Sequence, residues 1–516
     1  MKKVKIISAK EAAMMVEDGM TISTNGFVAC DLPEELTSAL EQRFLETGSP
    51  KNLTYLYAAG QGNRDGSGAD HFAHEGMVST VIAGHYNMAP NLGQMIIENK
   101  IKAYNLPQGT LSQLYRDIAA KKLGTLTHVG LYTFADPRVE GGRLNEITTE
   151  DIVEVVNIGG EERLLYKAMP IDMVFIRGTY ADVYGNITME RECCVAEATA
   201  IAQAAKNSGG KVIVQVEKVV EDVDPKLVKV PGIYVDAVVI TENPENHTQC
   251  VGTEYDGSMA GEYRVPKDSL SFPALSPKKI IGRRAAMELK EDTVVNLGIG
   301  IPEYVSMVAC EEGIDDHFTL TVEAGPVGGI PQSGPKFGGS VNAAAILAQP
   351  EQFDFYDGGG IDDAFLGLAE VDEEGNINVS KFGPRIAGCG GFVNITQNAK
   401  RVYFCGTFTA GGLKCSTKDG KLVIDQEGRS DKFVKDVEQI TFSGKYAKKT
   451  GQPVMYITER AVFELREDGV YLIEVAPGID IQTQILDRMG FTPKMDGEPK
   501  VMDERIFREE PMGLKA

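Results

Sequence analysis

The sequence lacks the features that would place it among nucleic-acid-binding, membrane or secreted proteins. Its formal net charge is -22 and no extended basic stripe offsets that charge, so DNA, RNA and anionic membranes would be repelled. No apolar run approaches membrane-spanning length. Near the N-terminus, Ser8, Lys10 and Glu11 interrupt the apolar run that a secretory signal needs. We therefore expect no nucleic-acid partner and no membrane partner.

Cysteine is sparse and is not spaced for metal binding. The eight cysteines include the adjacent Cys193 and Cys194 but no C-x-x-C pair, which is typical of reduced thiols in a cytoplasmic protein. This spacing does not favour a zinc site made of thiolates. The G-x-S-x-G and P-loop motifs are also absent, so the sequence offers no serine nucleophile elbow and no nucleotide cradle of those types.

Short runs of β-branched and apolar residues have the length and composition of buried strands, and helical stretches alternate with them. These runs are residues 212–216, 234–240, 293–297 and 402–405. The alternation predicts an α/β fold with two open, mostly parallel sheets. In such sheets, ligands bind beyond the carboxyl ends of the strands.

Composition divides the chain into two predicted domains. Residues 241–277 are polar, rich in turn formers and without periodicity, so we interpret them as a linker between domains at residues 1–240 and 278–516. Residues 18–26 (DGMTISTNG) resemble residues 292–300 (DTVVNLGIG), and each segment follows an Ala-rich helical stretch. The shared spacing indicates a duplicated unit.

One helix start is visible directly in the sequence. Asp31-Leu32-Pro33-Glu34 offers an Asp as N-cap, a proline in the first turn and an early glutamate. The apolar residues that follow share one helical face, and they are Leu36, Ala39, Leu40 and Phe44. We expect this face to be buried.

A candidate reactive carboxylate follows a predicted strand. Residues 317–322 (HFTLTV) have the composition of a strand and lead into Glu323 and the loop AGPVGGIPQSGPKFGG. Glycines let the backbone approach a ligand closely, and their N–H groups can stabilise a developing oxyanion. The alternative interpretation is a solvated glutamate at the start of a surface loop.

A second glycine turn suits an anion. Gly298-Ile299-Gly300-Ile301-Pro302-Glu303 follows the predicted strand at 293–297 and leads into a helix, an arrangement that can seat a phosphate or a carboxylate. The third glycine of the dinucleotide fingerprint is missing, so an NAD-dependent oxidoreductase would depend on the glycine turns alone.

For two further clusters we prefer a structural interpretation to a functional one. His71 and His74 lie three apart beside carboxylates in residues 70–75 (DHFAHE), but the H-E-x-x-H order and a third ligand are missing, so we expect a structural role. Cys389 lies within the run Gly388-Cys389-Gly390-Gly391 without a nearby histidine in the sequence, and a buried cysteine is the commoner case.

Several motifs, in the same order along nearly the whole chain, resemble those of the family I CoA-transferases. They are Leu106-Pro107-Gln108-Gly109-Thr110-Leu111, residues 296–302 (NLGIGIP), Thr321-Val322-Glu323-Ala324-Gly325, residues 379–383 (VSKFG) with the glycine run ending at Gly391, and residues 457–463 (ITERAVF). The resemblance implies two α/β domains of the CoA-transferase (NagB/RpiA-like) type in one chain, with Glu323 matching the catalytic glutamate.

The resemblance also implies roles for other residues. Stabilisation of oxyanions and binding of substrate would fall to Gln108, Asn296, Gly390 and Gly391. Contacts with coenzyme A would come from Gly298, Gly300, Lys381 and Arg385.

Two departures from the family pattern bear on the substrate. Ketoacid-specific members carry S-E-N-G where this chain has Val322-Glu323-Ala324-Gly325, and Gly-Gly-Phe where it has Asn25-Gly26-Phe27. Both indicate the single-chain branch similar to propionate CoA-transferase, whose members accept acetate, propionate, lactate, acrylate or butyrate.

The implied reaction moves coenzyme A between two carboxylates by ping-pong kinetics through a thioester on Glu323. It needs neither metal nor resident cofactor, because coenzyme A thioesters are the substrates. The alternatives are a CoA-thioester hydrolase on the same fold and a non-catalytic sensor of acyl-CoA or small acids. We also expect a cytoplasmic homo-oligomer, a dimer or a tetramer, that acts on small molecules.

Overall fold

The computed structural model describes residues 2–266 and 272–515. The described chain forms eleven α-helices. They are α1 (Ala9–Met14), α2 (Glu34–Thr47), α3 (Pro90–Ile97), α4 (Gln108–Ala119), α5 (Ala198–Ser208), α6 (Pro277–Ala286), α7 (Glu303–Glu312), α8 (Gln349–Asp357), α9 (Phe392–Asn398), α10 (Gly444–Thr450) and α11 (Ile481–Gln484).

The same residues form 35 strands, many of them short. They are β1 (Lys5–Ile6), β2 (Thr21–Thr24), β3 (Leu53–Tyr57), β4 (Val78–Ala83), β5 (Lys102–Asn105), β6 (Gly124–Thr127), β7 (Val153–Ile158), β8 (Glu161–Lys167), β9 (Met173–Arg177), β10 (Tyr180–Asp182), β11 (Ile187–Thr188), β12 (Lys211–Val216), β13 (Lys218–Val220), β14 (Val228–Val230), β15 (Ala237–Ile240), β16 (Thr293–Leu297), β17 (Phe318–Thr321), β18 (Pro326–Val327), β19 (Ile330–Pro331), β20 (Ser340–Val341), β21 (Ala345–Ile346), β22 (Asp363–Gly367), β23 (Glu370–Val371), β24 (Ile377–Asn378), β25 (Lys381–Phe382), β26 (Arg385–Ile386), β27 (Arg401–Cys405), β28 (Thr409–Ala410), β29 (Lys414–Lys418), β30 (Lys421–Gln426), β31 (Ser430–Asp431), β32 (Val454–Ile457), β33 (Ala461–Arg466), β34 (Gly469–Val475) and β35 (Lys500–Val501).

Packing divides the chain into two compact units. The first unit consists of Met1–Val265, Val322–Phe355 and Phe382–Asn394, and the second of Pro266–Thr321, Tyr356–Lys381 and Ile395–Ala516. Glu323 belongs to the first unit, because two segments from the second half of the sequence pack with it. The domain boundaries drawn from composition, at residues 1–240, 241–277 and 278–516, stay a prediction.

An eight-stranded sheet forms the centre of the first unit. Its order is β1-β15-β12-β9-β2-β3-β4-β5, and every neighbouring pair is parallel. The run at residues 212–216 is confirmed as β12, whereas the run at 234–240 forms strand only from Ala237 onward. The core on one side of this sheet includes Leu36 and Leu40 of α2, which confirms the predicted apolar face.

The second unit contains a sheet in which β17, β16, β22, β27, β32, β33, β34 and β35 follow one another in that order. The strands from β17 to β32 are parallel neighbours, and β32, β33 and β34 pair antiparallel. The predicted strands at 293–297 and 402–405 are confirmed as β16 and β27. Both units thus have the predicted α/β architecture.

The predicted duplication is visible in the topology. The order β3-β2-β9-β12-β15 in the first unit corresponds to β17-β16-β22-β27-β32 in the second. Equivalent aspartates hold equivalent strands: the N–H of Thr21 donates to Asp172 at 2.8 Å, and the N–H of Val294 donates to Asp362 at 2.9 Å. The two halves therefore repeat one α/β plan.

The predicted start of α2 is wrong in its cap. The helix begins at Glu34 with Pro33 in the N-cap position, and no side chain caps it. Asp31 instead has a left-handed φ of 57°, and its carboxylate accepts a hydrogen bond from the N–H of Cys194 at 3.1 Å. The carboxylate that was predicted to cap the helix therefore binds the backbone of Cys194 instead.

The segment interpreted as a linker contains ordered and buried side chains. Three of its residues are buried in the first unit, namely Gln249, Cys250 and Met259. The backbone of Cys250 forms an isolated antiparallel β-bridge with the backbone of Cys30. Residues 267–271 of this segment lie outside the described residues.

The motif at residues 457–463 spans the end of β32, the turn at residues 458–460 and the start of β33, and it buries an ion pair. The Arg460 side chain donates to Glu459 at 2.7 Å and to Glu427 at 2.7 Å, and the N–H of Phe408 donates to Glu459 at 2.8 Å. Glu459 and Arg460 are fully buried. This motif therefore serves the structure of the second unit.

None of the described helices is both long enough and apolar enough to cross a membrane.

Candidate active site

Glu323 lies in a tight turn two residues beyond β17. The N–H of Gly325 donates to the carbonyl of Val322 at 3.0 Å, and the N–H of Val322 donates to the carbonyl of Pro326 at 2.9 Å. Gly325 has a φ of +125°, and a Cβ there would lie 2.0 Å from the carbonyl oxygen of Leu347. Only glycine fits this position, so the turn requires the glycine two residues after Glu323.

The carboxylate of Glu323 lies directly against the backbone of Gly391. A Cβ added at Gly391 would be 1.8 Å from Oε2 of Glu323, and the Gly391 N–H donates a hydrogen bond to this carboxylate. Burial raises the pKa of Glu323 to about 7, and the hydrogen bond from Gly391 limits that rise. The residue as a whole keeps some exposed surface. A desolvated carboxylate beside a backbone donor has the properties of a nucleophile.

Hydrogen bonds from the first sheet fix the glycine run. The N–H of Gly390 donates to the carbonyl of Gly84 at 2.7 Å, and the N–H of Cys389 donates to Oδ1 of Asn105 at 2.9 Å. The N–H of Gln108 donates in turn to the carbonyl of Gly390 at 3.0 Å. Since the Gly390 N–H is occupied, Gly391 is the glycine of this pair that presents an N–H to Glu323.

A buried polar network holds the side chain of Gln108. Its Nε2 donates to Oε1 of Gln349 at 3.4 Å, and its Oε1 lies 3.6 Å from the position of a Cβ at Gly390. Nε2 of Gln349 donates to Ser112 at 2.6 Å and also to Glu197, and Ser112 donates to Glu197 at 2.8 Å. Burial raises the pKa of Glu197 to about 7. This network orients Gln108 towards the glycine run.

Phe353 occupies the space that two glycines leave open. It is fully buried, and a Cβ at Gly109 would lie 2.3 Å from its ring, while a Cβ at Gly391 would lie 3.0 Å from it. The N–H of Gly109 donates to Oδ1 of Asn394 at 3.1 Å. Small residues in the P-Q-G-T-L motif and in the glycine run therefore allow α4 and the run to pack closely.

His85 is a site residue that the sequence analysis missed. Its Cδ2 lies 3.9 Å from the position of a Cβ at Gly390. Burial, together with the charge of Arg385, lowers the pKa of His85 to about 4, so the imidazole is neutral at pH 7. His85 follows β4 and Asn105 ends β5. Polar residues at the carboxyl ends of parallel strands were a signal that could have identified both.

Glu197 and Gln349 were missed as well, and no motif marks either of them. Glu197 directly precedes α5 and Gln349 begins α8, two elements far apart in the sequence. Only tertiary packing brings them to Ser112 and Gln108.

Four of the predicted site residues belong to the second unit: Asn296, Gly298, Gly300 and Lys381. The amide of Asn296 donates to the carbonyl of Thr321 at 3.1 Å and to the hydroxyl of Tyr356 at 3.3 Å. The Gly300 N–H donates to the carboxylate of Glu303. The anion seat at this glycine turn stays a prediction.

The remaining predicted residues belong to the first unit. The structure brings Glu323, Gln108, Gly390 and Gly391 together there, as the contacts above show. Arg385 is exposed, and its guanidinium donates to Oδ1 of Asn87 at 2.7 Å.

The histidine pair has carboxylate partners. His71 lies between Glu34 and Glu41, with N–O distances of 2.7 Å to each, and His74 contacts Glu41 at 2.6 Å. Burial opposes a charge on His71, but the two carboxylates outweigh burial and raise its pKa to about 9. The pair links α2 to the segment that follows β3, which is a structural role.

Cys389 has the character of a buried cysteine. Its thiol is directed at the carbonyl of Leu106, 3.5 Å away, and burial raises its pKa. It is therefore not poised as a thiolate nucleophile.

Comparison with known proteins identifies the group to which this arrangement belongs. The coenzyme A transferase family model matches residues 6–241. The chain is 47% identical over 519 residues to caffeate CoA-transferase of Acetobacterium woodii, with 99% of this chain and 98% of that protein covered. It is 44% identical over 516 residues to acetate CoA-transferase YdiF of Escherichia coli K12, with coverage of 99% and 97%.

A solved structure agrees with these relatives. The crystal structure of the acyl-CoA transferase YdiF from Escherichia coli O157:H7, a thioester complex with CoA, matches with a TM-score of 0.93 and 42% identity, covering 99% of this chain and 98% of that chain. The fold and these relatives together define a transferase of coenzyme A. The chain belongs to the coenzyme A transferase family and is a CoA-transferase, as its motifs predicted.

Proposed function

We propose that this enzyme transfers coenzyme A between a short-chain acyl-CoA and a short carboxylate, with Glu323 as the covalent nucleophile. The acids are of the acetate, propionate, lactate, acrylate and butyrate class. The observation that carries the proposal is the hydrogen bond from the Gly391 N–H to the desolvated Glu323 carboxylate, at a position where a Cβ on Gly391 would lie 1.8 Å from Oε2 of Glu323.

The reaction proceeds in balanced steps. A carboxylate oxygen of Glu323 attacks the thioester carbonyl, the carbon–sulfur bond breaks, and CoA leaves as a thiolate, which gives a mixed anhydride. The thiolate then attacks the Glu323 carbonyl and releases the first acid, so that Glu323 becomes a thioester of CoA. A second carboxylate enters, and the same steps run in reverse. Proton transfer is not required, because the nucleophiles and leaving groups are carboxylates or thiolate.

The Gly391 N–H serves the step at the glutamyl carbonyl. It already donates to an oxygen of Glu323, and that oxygen gains charge when thiolate attacks the carbonyl carbon. A fixed donor strengthens as this charge develops, and removing one such donor costs on the order of 10²- to 10³-fold in rate. Gln108, oriented by Gln349, is proposed as the second donor of the first unit, since its Nε2 carries a hydrogen beyond the one given to Gln349.

The remaining predicted contacts stay part of the proposal. Asn296 would assist substrate binding, and Gly298, Gly300, Lys381 and Arg385 would contact coenzyme A. The exposed guanidinium of Arg385 suits a phosphate. We also propose a cytoplasmic homo-oligomer, a dimer or a tetramer, without a resident cofactor in the catalytic cycle.

Trapping of the intermediate tests the nucleophile. Borohydride added with propionyl-CoA should inactivate the enzyme by reducing the glutamyl thioester, and the mass change should map to residue 323. Glu303 is an internal control, because it too is partly buried and accepts a glycine N–H, yet it should remain unlabelled. A label on any other residue, or no label on an active preparation, would refute the assignment.

Substitution provides an independent test. Glu323→Gln should lose at least about 10³-fold in kcat/KM while keeping its fold, because the two side chains have similar volumes. Glu351→Gln makes the same chemical change at an exposed site of α8 and should keep full activity. Full activity of Glu323→Gln would exclude a covalent role.

Product analysis separates transfer from hydrolysis and defines the acids. Propionyl-CoA with acetate should give acetyl-CoA and little free thiol, whereas abundant thiol without acetyl-CoA would mean a hydrolase. Binding of acyl-CoA without either product would mean a sensor. The acceptor panel should include caffeate, since one relative bears that name. A clear preference for caffeate over acetate and propionate would overturn the short-chain assignment.

A further inference from the structure

Four of the eight cysteines meet inside the first unit, behind the turn that carries Glu323. Their side chains are fully buried, and the residues on either side of Glu323, Val322 and Ala324, belong to the same packed cluster. The cysteines are Cys30, Cys193, Cys194 and Cys250. We call them the thiol cluster. The catalytic proposal uses none of them.

Three of the sulfur atoms converge on one point. The Sγ atoms of Cys30 and Cys250 are 3.0 Å apart, those of Cys193 and Cys250 are 3.9 Å apart, and all three lie within 4.8 Å of one another. In a tetrahedral zinc site with Zn–S bonds of about 2.3 Å, neighbouring sulfur atoms are about 3.8 Å apart. A small rotation of Cys30 or Cys250 about χ1 would complete this spacing.

A buried carboxylate without a full set of partners adjoins the sulfur atoms. Oδ2 of Asp31 lies 3.4 Å from Sγ of Cys193 and 3.3 Å from Sγ of Cys194. Oδ1 of Asp31 finds no hydrogen-bond partner anywhere in the described chain, although the residue is only 1% exposed. A buried, unsatisfied carboxylate oxygen beside several thiols is a feature that a bound cation explains.

We propose that the thiol cluster binds one thiophilic divalent cation, of which Zn²⁺ is the natural example, through Cys30, Cys193 and Cys250. The carboxylate of Asp31 lies beside Cys193 at 3.4 Å and is grouped with Cys193 and Cys194 rather than with Cys30 and Cys250, so it would reach the fourth position only after its side chain rotates towards the three sulfur atoms. Binding displaces the three thiol protons, which pass to solvent as the site is loaded during folding. Arg177, which pairs with Glu192 at 3.4 Å and donates to the carbonyl of Thr248, offsets part of the ligand charge.

The cation would have a structural role. Its ligands come from the turn after β2, from the segment before α5 and from the loop after β15, so one ion would join three distant parts of the chain. The same packed cluster supports Val322 and Ala324. The cation would therefore hold the base of the Glu323 turn without contacting substrate.

Metal analysis of the full-length enzyme tests the site. Protein refolded with Zn²⁺ under reducing conditions and then freed of excess metal should retain about one Zn²⁺ per chain by mass spectrometry of the elements. Cys193→Ser and Cys250→Ser should each reduce the retained metal at least fivefold. The matched control is Cys405→Ser, which changes a buried cysteine of the second unit and should leave the stoichiometry unchanged.

A measurement on the unaltered chain keeps the test decisive if those variants fail to fold. Refolding with Cd²⁺ should produce the ultraviolet charge-transfer absorption of cadmium thiolates, saturating at one equivalent. Retention of less than about 0.1 equivalent of either metal, with all eight thiols still titratable, would overturn the proposal. A peptide joining Cys30 to Cys250 by a disulfide, two hydrogens lighter, would also overturn it and would indicate a redox pair instead.

Discussion

The two halves of the chain repeat one strand order but use it for different purposes. In the first unit, the backbone carbonyl of Gly84 after β4 and the side chain of Asn105 at the end of β5 hold the glycine run that faces Glu323. In the second unit, the polar residues between β32 and β33 satisfy one another, since Arg460 pairs with Glu459 and Glu427. Where the polar groups bind one another they stabilise the fold, and where they are left open to a ligand they form a site. The repeated fold does not by itself determine which of these occurs.

The largest effect should come from closing the open site of the first unit. Gly391→Ala would place a methyl group 1.8 Å from Oε2 of Glu323, so the carboxylate must move away from its donor. We expect a fall in kcat of about 10³-fold, measured with propionyl-CoA and acetate. Gly93→Ala in α3 is the control, because nothing lies within 4 Å of a Cβ there. Near-normal activity of Gly391→Ala would mean that the Gly391 contact is not part of catalysis.

Breaking the closed polar cluster of the second unit should instead cost stability. Glu459→Ala leaves the fully buried Arg460 short of one partner, and we expect a loss of about 3 to 5 kcal/mol in the free energy of unfolding in urea. Glu464→Ala removes a glutamate from an exposed pair with Arg466 and should cost no more than about 1 kcal/mol. Equal costs for the two variants would show that burial does not distinguish the pairs.

The histidine pair allows a pH test within the first unit. The pKa of His71 is raised to about 9 in the fold, above the value of about 6.5 expected when unfolded. Its stabilising contribution is therefore complete below pH 6.5 and is lost as pH rises through 9. A difference of about 2.5 pKa units corresponds to roughly 3 kcal/mol, so wild type should exceed His71→Gln by about that amount at pH 6, and this gap should close by pH 10.

The half-exposed His317 of the second unit provides the control for that titration. His317→Gln should track the wild type across the same range of pH in thermal unfolding. A constant gap between wild type and His71→Gln from pH 6 to pH 10 would contradict the assigned pKa.

The smallest effect should come from the support behind Gln108. Glu197→Ala removes the acceptor of Ser112 and Gln349, so the Gln108 amide loses its fixed orientation. We expect kcat to fall about tenfold, equivalent to about 1.4 kcal/mol, with KM for acyl-CoA unchanged. Glu197→Gln keeps one acceptor oxygen and should recover part of the loss. A change in KM alone, or no recovery with glutamine, would argue against a positioning role.

Motif order and strand composition were the parts of the protein that could be predicted. The strands at 293–297 and 402–405, the apolar face of α2 and the position of Glu323 after a strand follow from local residue choice, because side-chain periodicity and turn chemistry are local properties. The repeat was also correctly found, but its register was not. The sequence match aligns Ile22 with Asn296. In the sheets, Ile22 pairs with the residue after Asp172, and Val295 pairs with the residue after Asp362, so Ile22 is equivalent to Val295. A shift of one residue exchanges the two faces of a strand.

Properties that depend on distant partners could not be predicted. Asp31 has the sequence context of an N-cap, yet it turns towards Cys194, because a contact across the fold outweighs a local cap. In the sequence, nothing distinguishes the N–H of Gly390 from that of Gly391 as a donor to Glu323. In the fold, the Gly390 N–H donates to the carbonyl of Gly84 instead. Glu197 and Gln349 carry no local signal at all.

The amino-acid sequence alone determined that this is an α/β enzyme of the coenzyme A transferase family with a glutamate at a strand end, because strand composition, glycine turns and motif order are read along the chain. Tertiary structure alone decided which N–H faces that glutamate, how far burial raises its pKa, and that the sulfur atoms of Cys30, Cys193 and Cys250 lie within 4.8 Å of one another. Hydrogen-bond direction, desolvation and side-chain convergence depend on residues that only folding brings together.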